Sequence, residues 1–203
     1  MLSAGLLLVA GAVAGLWAAA TPSLTRVWSA PLPDKLLMIA DRRGAWWRAN
    51  VLFLVAIMAT AGGLATLAAL IREGGSYGPA FAGLGLTLAA TPLWAVDLAF
   101  RVTVTTSVAE AVKGGAAVPT WYPSAAKWSW SLLIIYSLCA SAALVGFGLG
   151  IVRSGILPEW SGWIAMAGGG VLIFGTIARK DTIPVVVQLL TLLFGVLLLI
   201  AEF

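Results

Sequence analysis

An aspartate and an arginine stand four residues apart inside an apolar stretch, "PLWAVDLAFR", Pro92 to Arg101. If the stretch is helical, Asp97 and Arg101 share one face. A carboxylate in such a setting has two uses. It can exchange a proton or hold a cation, as the coupling group of a transporter does. It can also be locked in an ion pair by an arginine whose long stem reaches the headgroups. A run beginning near Ala80 puts Asp97 about one turn from a membrane edge. At that depth the expected role is the ion pair, with a ligand contact or proton-linked role as the alternative.

Other polar side chains recur at a similar depth: Thr91 in the same run, Tyr136 and Ser137 in the next, and Gln188 and Thr191 in the last. If they converge, they line a small pocket open toward the cytoplasm. The plainer expectation is a set of interhelical hydrogen bonds, worth under about 2 kcal/mol each.

The chain has no histidine, which excludes histidine-ligated haem, chlorophyll or zinc and a Ser-His dyad. Its single cysteine, Cys139, lies in an apolar run and reads as a small buried hydrophobe. No CxxC, HExxH, GxSxG or paired acidic motif is present. Retinal would need a lysine within a run, and Lys127 stands only at an edge. No catalytic residue, metal site or cofactor is therefore expected. The sequence leans away from an enzyme, although catalysis by one carboxylate beside an arginine stays open.

The elements that must position these groups follow from composition. Of 203 residues, 61% are hydrophobic and 10% charged, against about a quarter charged in soluble domains. Apolar runs of membrane-crossing length recur at about 2–20, 50–71, 80–101, 128–152, 160–178 and 183–202. They are apolar all round and lack the alternation of a barrel strand, so they are helices. The fold expected is an all-α polytopic transmembrane bundle of six helices in a single domain, 1–203. The first run has the apolar core of a signal peptide but no basic segment before it, and reads as a retained span.

Two connectors are long. In the first, "PDKLLMIADRRGAWWRAN" predicts a short interfacial helix within 34–47, capped by Asp34. In the second, the third helix continues outward and stops at Gly114-Gly115, with Glu110 facing Lys113 at i,i+3. Ser124 is the candidate cap of the fourth span. The connectors "REGGSYGP", "RSGILPE" and "RKDTIP" read as turns, with Pro184 tolerated in a first helical turn.

Connectors one, three and five carry Arg26, Lys35, Arg42, Arg43, Arg48, Arg101, Lys113, Lys127, Arg179 and Lys180, ten of the twelve basic residues; only Arg72 and Arg153 fall opposite. The positive-inside rule puts the ten in the cytoplasm and both termini outside. Most tryptophans fall near the inner ends, as a membrane belt requires. The net charge of +4 is spread over these edges, which suits acidic lipid headgroups and not nucleic acid. Gly146 and Gly150, like Ala59 and Gly63, have the spacing that lets helices approach closely, within the bundle or in a homodimer.

The segment "GILPEWSGWIAMAGGGVLIFG", Gly155 to Gly175, carries Gly155, Leu157, Pro158, Trp160, Gly162 and Trp163 in a G-x-L-P-x-W-x-G-W turn before a glycine-rich span. It resembles a stretch in a family of bacterial multi-span membrane proteins defined only as a domain of unknown function. The resemblance covers about 20 residues. It implies a bacterial integral membrane protein of six or seven spans and brings no activity; the location expected is the bacterial cytoplasmic membrane. The functional expectation is a non-enzymatic membrane protein. It would be an accessory subunit of a membrane complex, or a binder of lipid or another hydrophobic molecule. Its partners would be membrane lipids, other integral subunits or a second copy. The alternative is a small secondary transporter with Asp97 as the coupling carboxylate.

Overall fold

The structure, a computed structural model, describes residues 1–75, 77–179, 181 and 184–202. Among these residues every regular element is helical. The helices are α1 (Leu2–Ala19), α2 (Leu32–Asp41), α3 (Arg43–Glu73), α4 (Tyr77–Phe100), α5 (Thr106–Lys113), α6 (Tyr122–Ser154), α7 (Glu159–Arg179) and α8 (Pro184–Ile200). A π-helical turn, Arg101–Thr105, joins α4 to α5, so the helix runs unbroken from the third apolar stretch into its connector.

Five helices are long and apolar enough to cross a membrane: α1, α3, α4 with its continuation through α5, α6 and α7. The sixth expected span corresponds to α8, which is apolar but has 17 described residues. Parts of two expected turns, at Ser76 and at Lys180, Thr182 and Ile183, lie outside the described residues.

Helix ends depart from the expected caps. α2 begins at Leu32, ahead of Pro33, and its preceding residue Pro31 is extended (φ −63°, ψ 158°). Proline fixes φ and lacks a donor, so it starts the helix at no cost in hydrogen bonds. Asp34 therefore falls inside the first turn. There it favours the helix dipole but does not cap. α6 likewise starts at Tyr122 with Pro123 in its first turn, which places Ser124 inside the helix and not at its cap. At its far end Gly155 closes α6 in the left-handed region (φ 67°), open to glycine without strain.

The helices pack as two trios. α1 lies between α3 and α8, and α6 lies between α4 and α7; α3 against α4 is the main join, with lighter contact between α7 and α8. Glycines set the closeness. A Cβ on Gly146 would stand 2.6 Å from the Pro79 carbonyl oxygen, and one on Gly148 would stand 2.5 Å from that of Gly162. On α1, a Cβ on Gly11 would meet the Ala56 carbonyl at 2.9 Å. Gly150 faces Ala80 and Ile71, and Gly63 faces Leu8. Three of the four closely spaced small residues thus pack within the chain.

One end of the bundle carries extra structure. α2 packs on α5, and Asp41 pairs with Lys113 at 2.8 Å. Arg43 pairs with Glu110 beside it. The expected Glu110–Lys113 pair is replaced by these two, because each residue finds an oppositely charged partner on the first connector. At the other end the Met1 amino group lies 3.5 Å from Glu202.

Candidate functional site: an aromatic cavity beside Asp97

The π-helical turn after Phe100 is where the site is built. Single π turns widen a helix and leave carbonyls without their usual partner. Here the Arg101 carbonyl accepts from Trp46 Nε1 (3.0 Å) and from Thr106 Oγ1 (3.2 Å). The first of these bonds ties α3 to α4 at the bundle end that holds α2.

Beside it lies a cavity of about 280 Å³. Five of its lining residues are aromatic: Trp28, Trp46, Phe100, Tyr122 and Trp130. They are fixed by one another and by polar anchors. Trp28 and Trp46 have ring centroids 5.5 Å apart, and Phe100 stacks on Tyr122 at 6.2 Å. The Tyr122 hydroxyl donates to Thr105 Oγ1 at 3.1 Å. An aromatic lining of this kind suits a ligand with one apolar and one polar end.

The charged lining residues are Lys35, Asp97 and Arg101. Asp97 is 1% exposed and Arg101 11%, with Asp97 Oδ2 2.8 Å from Arg101 Nη2. That contact is charge to charge, without hydrogen-bond alignment. Asp97 Oδ1 accepts a 2.6 Å hydrogen bond from Ser129 Oγ on α6. The Arg101 guanidinium also stands 5.9 Å from the centre of the Trp28 ring, a cation–π contact. Burying a carboxylate without such partners would cost several kcal/mol.

Lys35 reaches the cavity from α2. No carboxylate among the described residues lies within ion-pair distance of it. Burial pushes its ammonium below the usual lysine range, the neighbouring Arg101 charge adds to that, and Asp97 opposes it.

The other expected site residues lie elsewhere. The cavity takes in Asp97 and Arg101 but is not lined by Thr91, Tyr136, Ser137 or Gln188. The Thr91 hydroxyl donates to the Thr87 carbonyl in its own helix at 2.8 Å. Thr191 does the same to Val187 at 3.1 Å. Tyr136 packs on Trp94 (4.5 Å between centroids), which meets Phe53 (5.5 Å), which in turn meets Trp28 (6.4 Å). These rings form a continuous aromatic path from the cavity into the bundle. Ser137 Oγ and both polar atoms of Gln188 are buried without a hydrogen-bond partner among the described residues.

Sequence reasoning missed Lys35, Ser129 and the aromatic lining. Ser129 stands between Trp128 and Trp130 at the start of the fourth run, and the available signal was that a serine there can hydrogen-bond across to a neighbouring helix. Lys35 carried no signal, since a lysine on a short amphipathic helix ordinarily faces solvent. Among the described residues no three carboxylates or thiols gather to hold a metal.

Comparison with protein-family models, with curated proteins and with solved structures gives no match for this chain.

Proposed function

We propose that the protein is a non-enzymatic, six-span protein of the bacterial cytoplasmic membrane that binds a lipid or similar amphipathic molecule in the cavity beside Asp97. The observation that carries this reading is the cavity itself. It joins an aromatic lining to buried charge at the end of the bundle where α2 packs across the connectors.

Six spans are supported by α8. Its 17 residues measure about 26 Å at 1.5 Å each, within the working range for a span. Its neighbour α1 has a similar length. The ten-to-two split of basic residues supports a topology with α2, α5 and the cavity on the cytoplasmic side and both termini outside. On that reading α2 is an interfacial helix. Leu36 and Ile39 are buried toward the bundle and Leu37 is exposed, with charges at either end of the segment.

The state of Asp97 favours a binder over a transporter. A coupling carboxylate must change partners during a cycle, whereas both oxygens of Asp97 are engaged by neighbours, Ser129 on α6 and Arg101 in the π-helical turn. Asp97 on this reading holds Arg101 and the α4–α6 join in place, and so shapes the cavity.

The test is mass spectrometry of the native protein extracted gently from membranes. Wild type is expected to retain a lipid or other amphipathic molecule. Ala126→Trp, which fills the cavity from α6, is expected to lose it at unchanged melting temperature. An identical complement in both would overturn the reading. A retained second polypeptide in place of a lipid would move it to an accessory subunit. A proton-driven flux in proteoliposomes, abolished by Asp97→Asn, would move it to a transporter.

A further inference from the structure

The charge balance of the cavity is uneven. Asp97 is matched by Arg101 at 2.8 Å, and Lys35 is left without a carboxylate in ion-pair reach among the described residues. Counting the three charged lining residues, two positive and one negative, the cavity holds a net charge of +1. An uncompensated cation in a partly desolvated, aromatic-walled space is stabilised by an anion that brings its own charge into that space.

We propose that this cavity seats the phosphodiester headgroup of an acidic membrane lipid, with Lys35 as the recognising cation and the Arg101 guanidinium as a second donor. The inference rests on the amphiphile-binding reading and names the ligand class for it.

Four observations carry it. First, Arg101 meets Asp97 through one terminal nitrogen. Its remaining N–H donors meet no acceptor among the described residues, and a guanidinium presents five donors in a planar fork suited to phosphate. Second, Lys35 stands on a helix packed into the fold, with its neighbours Leu36 and Ile39 buried. Its helix α2 is fastened to α5 by the Asp41–Lys113 pair and joined to α3 by the single residue Arg42, beside the Arg43–Glu110 pair. Third, the volume of about 280 Å³ lies just under the range of roughly 300–1,000 Å³ typical of pockets that enclose a whole drug-sized ligand. A headgroup fits there while its acyl chains remain in the bilayer. Fourth, Trp130 lines the cavity and is still 38% exposed, so the cavity wall continues onto the outer surface of α6. An indole there can meet a glycerol backbone at the level where headgroup and chain divide.

A phosphate group could also come from a soluble ester, and the test separates the two sources. The full-length protein, stripped of lipid in detergent, is titrated with phosphatidylglycerol or phosphatidylcholine and observed by native mass spectrometry. Parallel arms contain millimolar glycerol phosphate or inorganic phosphate. Wild type is expected to bind phosphatidylglycerol about tenfold more tightly than the zwitterionic lipid, a difference of about 1.4 kcal/mol. Lys35→Gln is expected to erase that preference while melting at or above the wild-type temperature, and Lys35→Arg to keep it. The soluble phosphates are expected to leave lipid binding unchanged.

Equal binding of both lipids by wild type would overturn the charge recognition and leave amphiphile binding standing. A preference that survives Lys35→Gln would overturn the role of Lys35. Displacement of lipid by glycerol phosphate would overturn the lipid as source. Failure of both lipids to bind would overturn the proposal together with the function it rests on.

Discussion

Ser129 donates a 2.6 Å hydrogen bond across the α4–α6 join to Asp97, and Arg101, one turn on in the π-helical turn that follows α4, meets the other oxygen of the same carboxylate at 2.8 Å. The carboxylate is therefore held from two helices. Its burial couples the membrane-edge arginine to the helix pair that shapes the cavity.

Removing one member of this buried pair leaves the other uncompensated. Asp97→Asn is expected to destabilise the protein in detergent by about 3–5 kcal/mol. Most of that loss should vanish in an Arg101→Gln background, giving a large coupling energy in a double-mutant cycle. Ser129→Ala removes only a hydrogen bond to a charged acceptor and should cost about 1.5–3 kcal/mol. Additive effects of Asp97→Asn and Arg101→Gln would show that the pair does not act as a unit.

Close backbone packing gives a second expectation. Gly146→Ala would push a methyl to within 2.6 Å of the Pro79 carbonyl oxygen, whereas Gly170 has open space around it. The first substitution should cost about 1–3 kcal/mol through forced separation of α4 and α6. Gly170→Ala on α7 should leave the melting temperature unchanged or raise it, because alanine is the better helix former. Equal effects at the two positions would contradict the packing described.

Much of this architecture was legible in the sequence because lipid leaves few options. Every apolar run had to be helical, and run length matched α1, α4 and α7 to within a few residues. By contrast α3 and α6 begin earlier than the expected starts at 50 and 128, at Arg43 and Tyr122, because the helix continues past the apolar run into polar residues. The helix continuing from the third run to Gly114 was legible too, since nothing between Phe100 and Lys113 breaks it. Asp97 with Arg101 could be paired on spacing alone. The ion-pair partners of Glu110 and Lys113 could not, because they depend on how α2 folds back on α5, which no local pattern encodes. The helix starts at Leu32 and Tyr122 were misjudged for a local reason. A polar residue just after a proline reads as a cap, while the proline itself had already opened the helix. Lys35 was missed because its function depends on a cavity assembled from four separate stretches of chain.

Orientation can be read directly. In a Cys139→Ala background, single cysteines are placed at the exposed positions Glu73 and Ala116. A membrane-impermeant maleimide applied to intact cells should label 73 and spare 116. The reverse pattern would invert the topology and move the cavity to the outer face.

The lowered pKa of Lys35 predicts a pH dependence. Its folded-state value lies below its unfolded value, so between the two the unfolded chain holds more protons and stability rises with pH. Binding of an acidic headgroup requires the ammonium, so affinity for phosphatidylglycerol should fall as pH rises through the same window. The other titratable groups lining the cavity are Asp97, Arg101 and the Tyr122 phenol. Lys35→Arg stays charged throughout and should flatten the profile, which assigns the titration to position 35. A profile unchanged in Lys35→Arg would place the titrating group elsewhere.

If the cavity beside Asp97 is a lipid seat, a cross-linker carried by a lipid reaches its lining. A phospholipid carrying a diazirine next to its headgroup is incorporated with the protein in nanodiscs and illuminated, and the labelled peptides are mapped. Adducts are expected to concentrate at Leu32, Ala126 and Trp130 in the cavity lining, and to be lost in Ala126→Trp while background labelling persists. Adducts spread over the exposed face of α7, at Val171, Phe174 and Ile177, with none in the cavity, would contradict a lipid seat there.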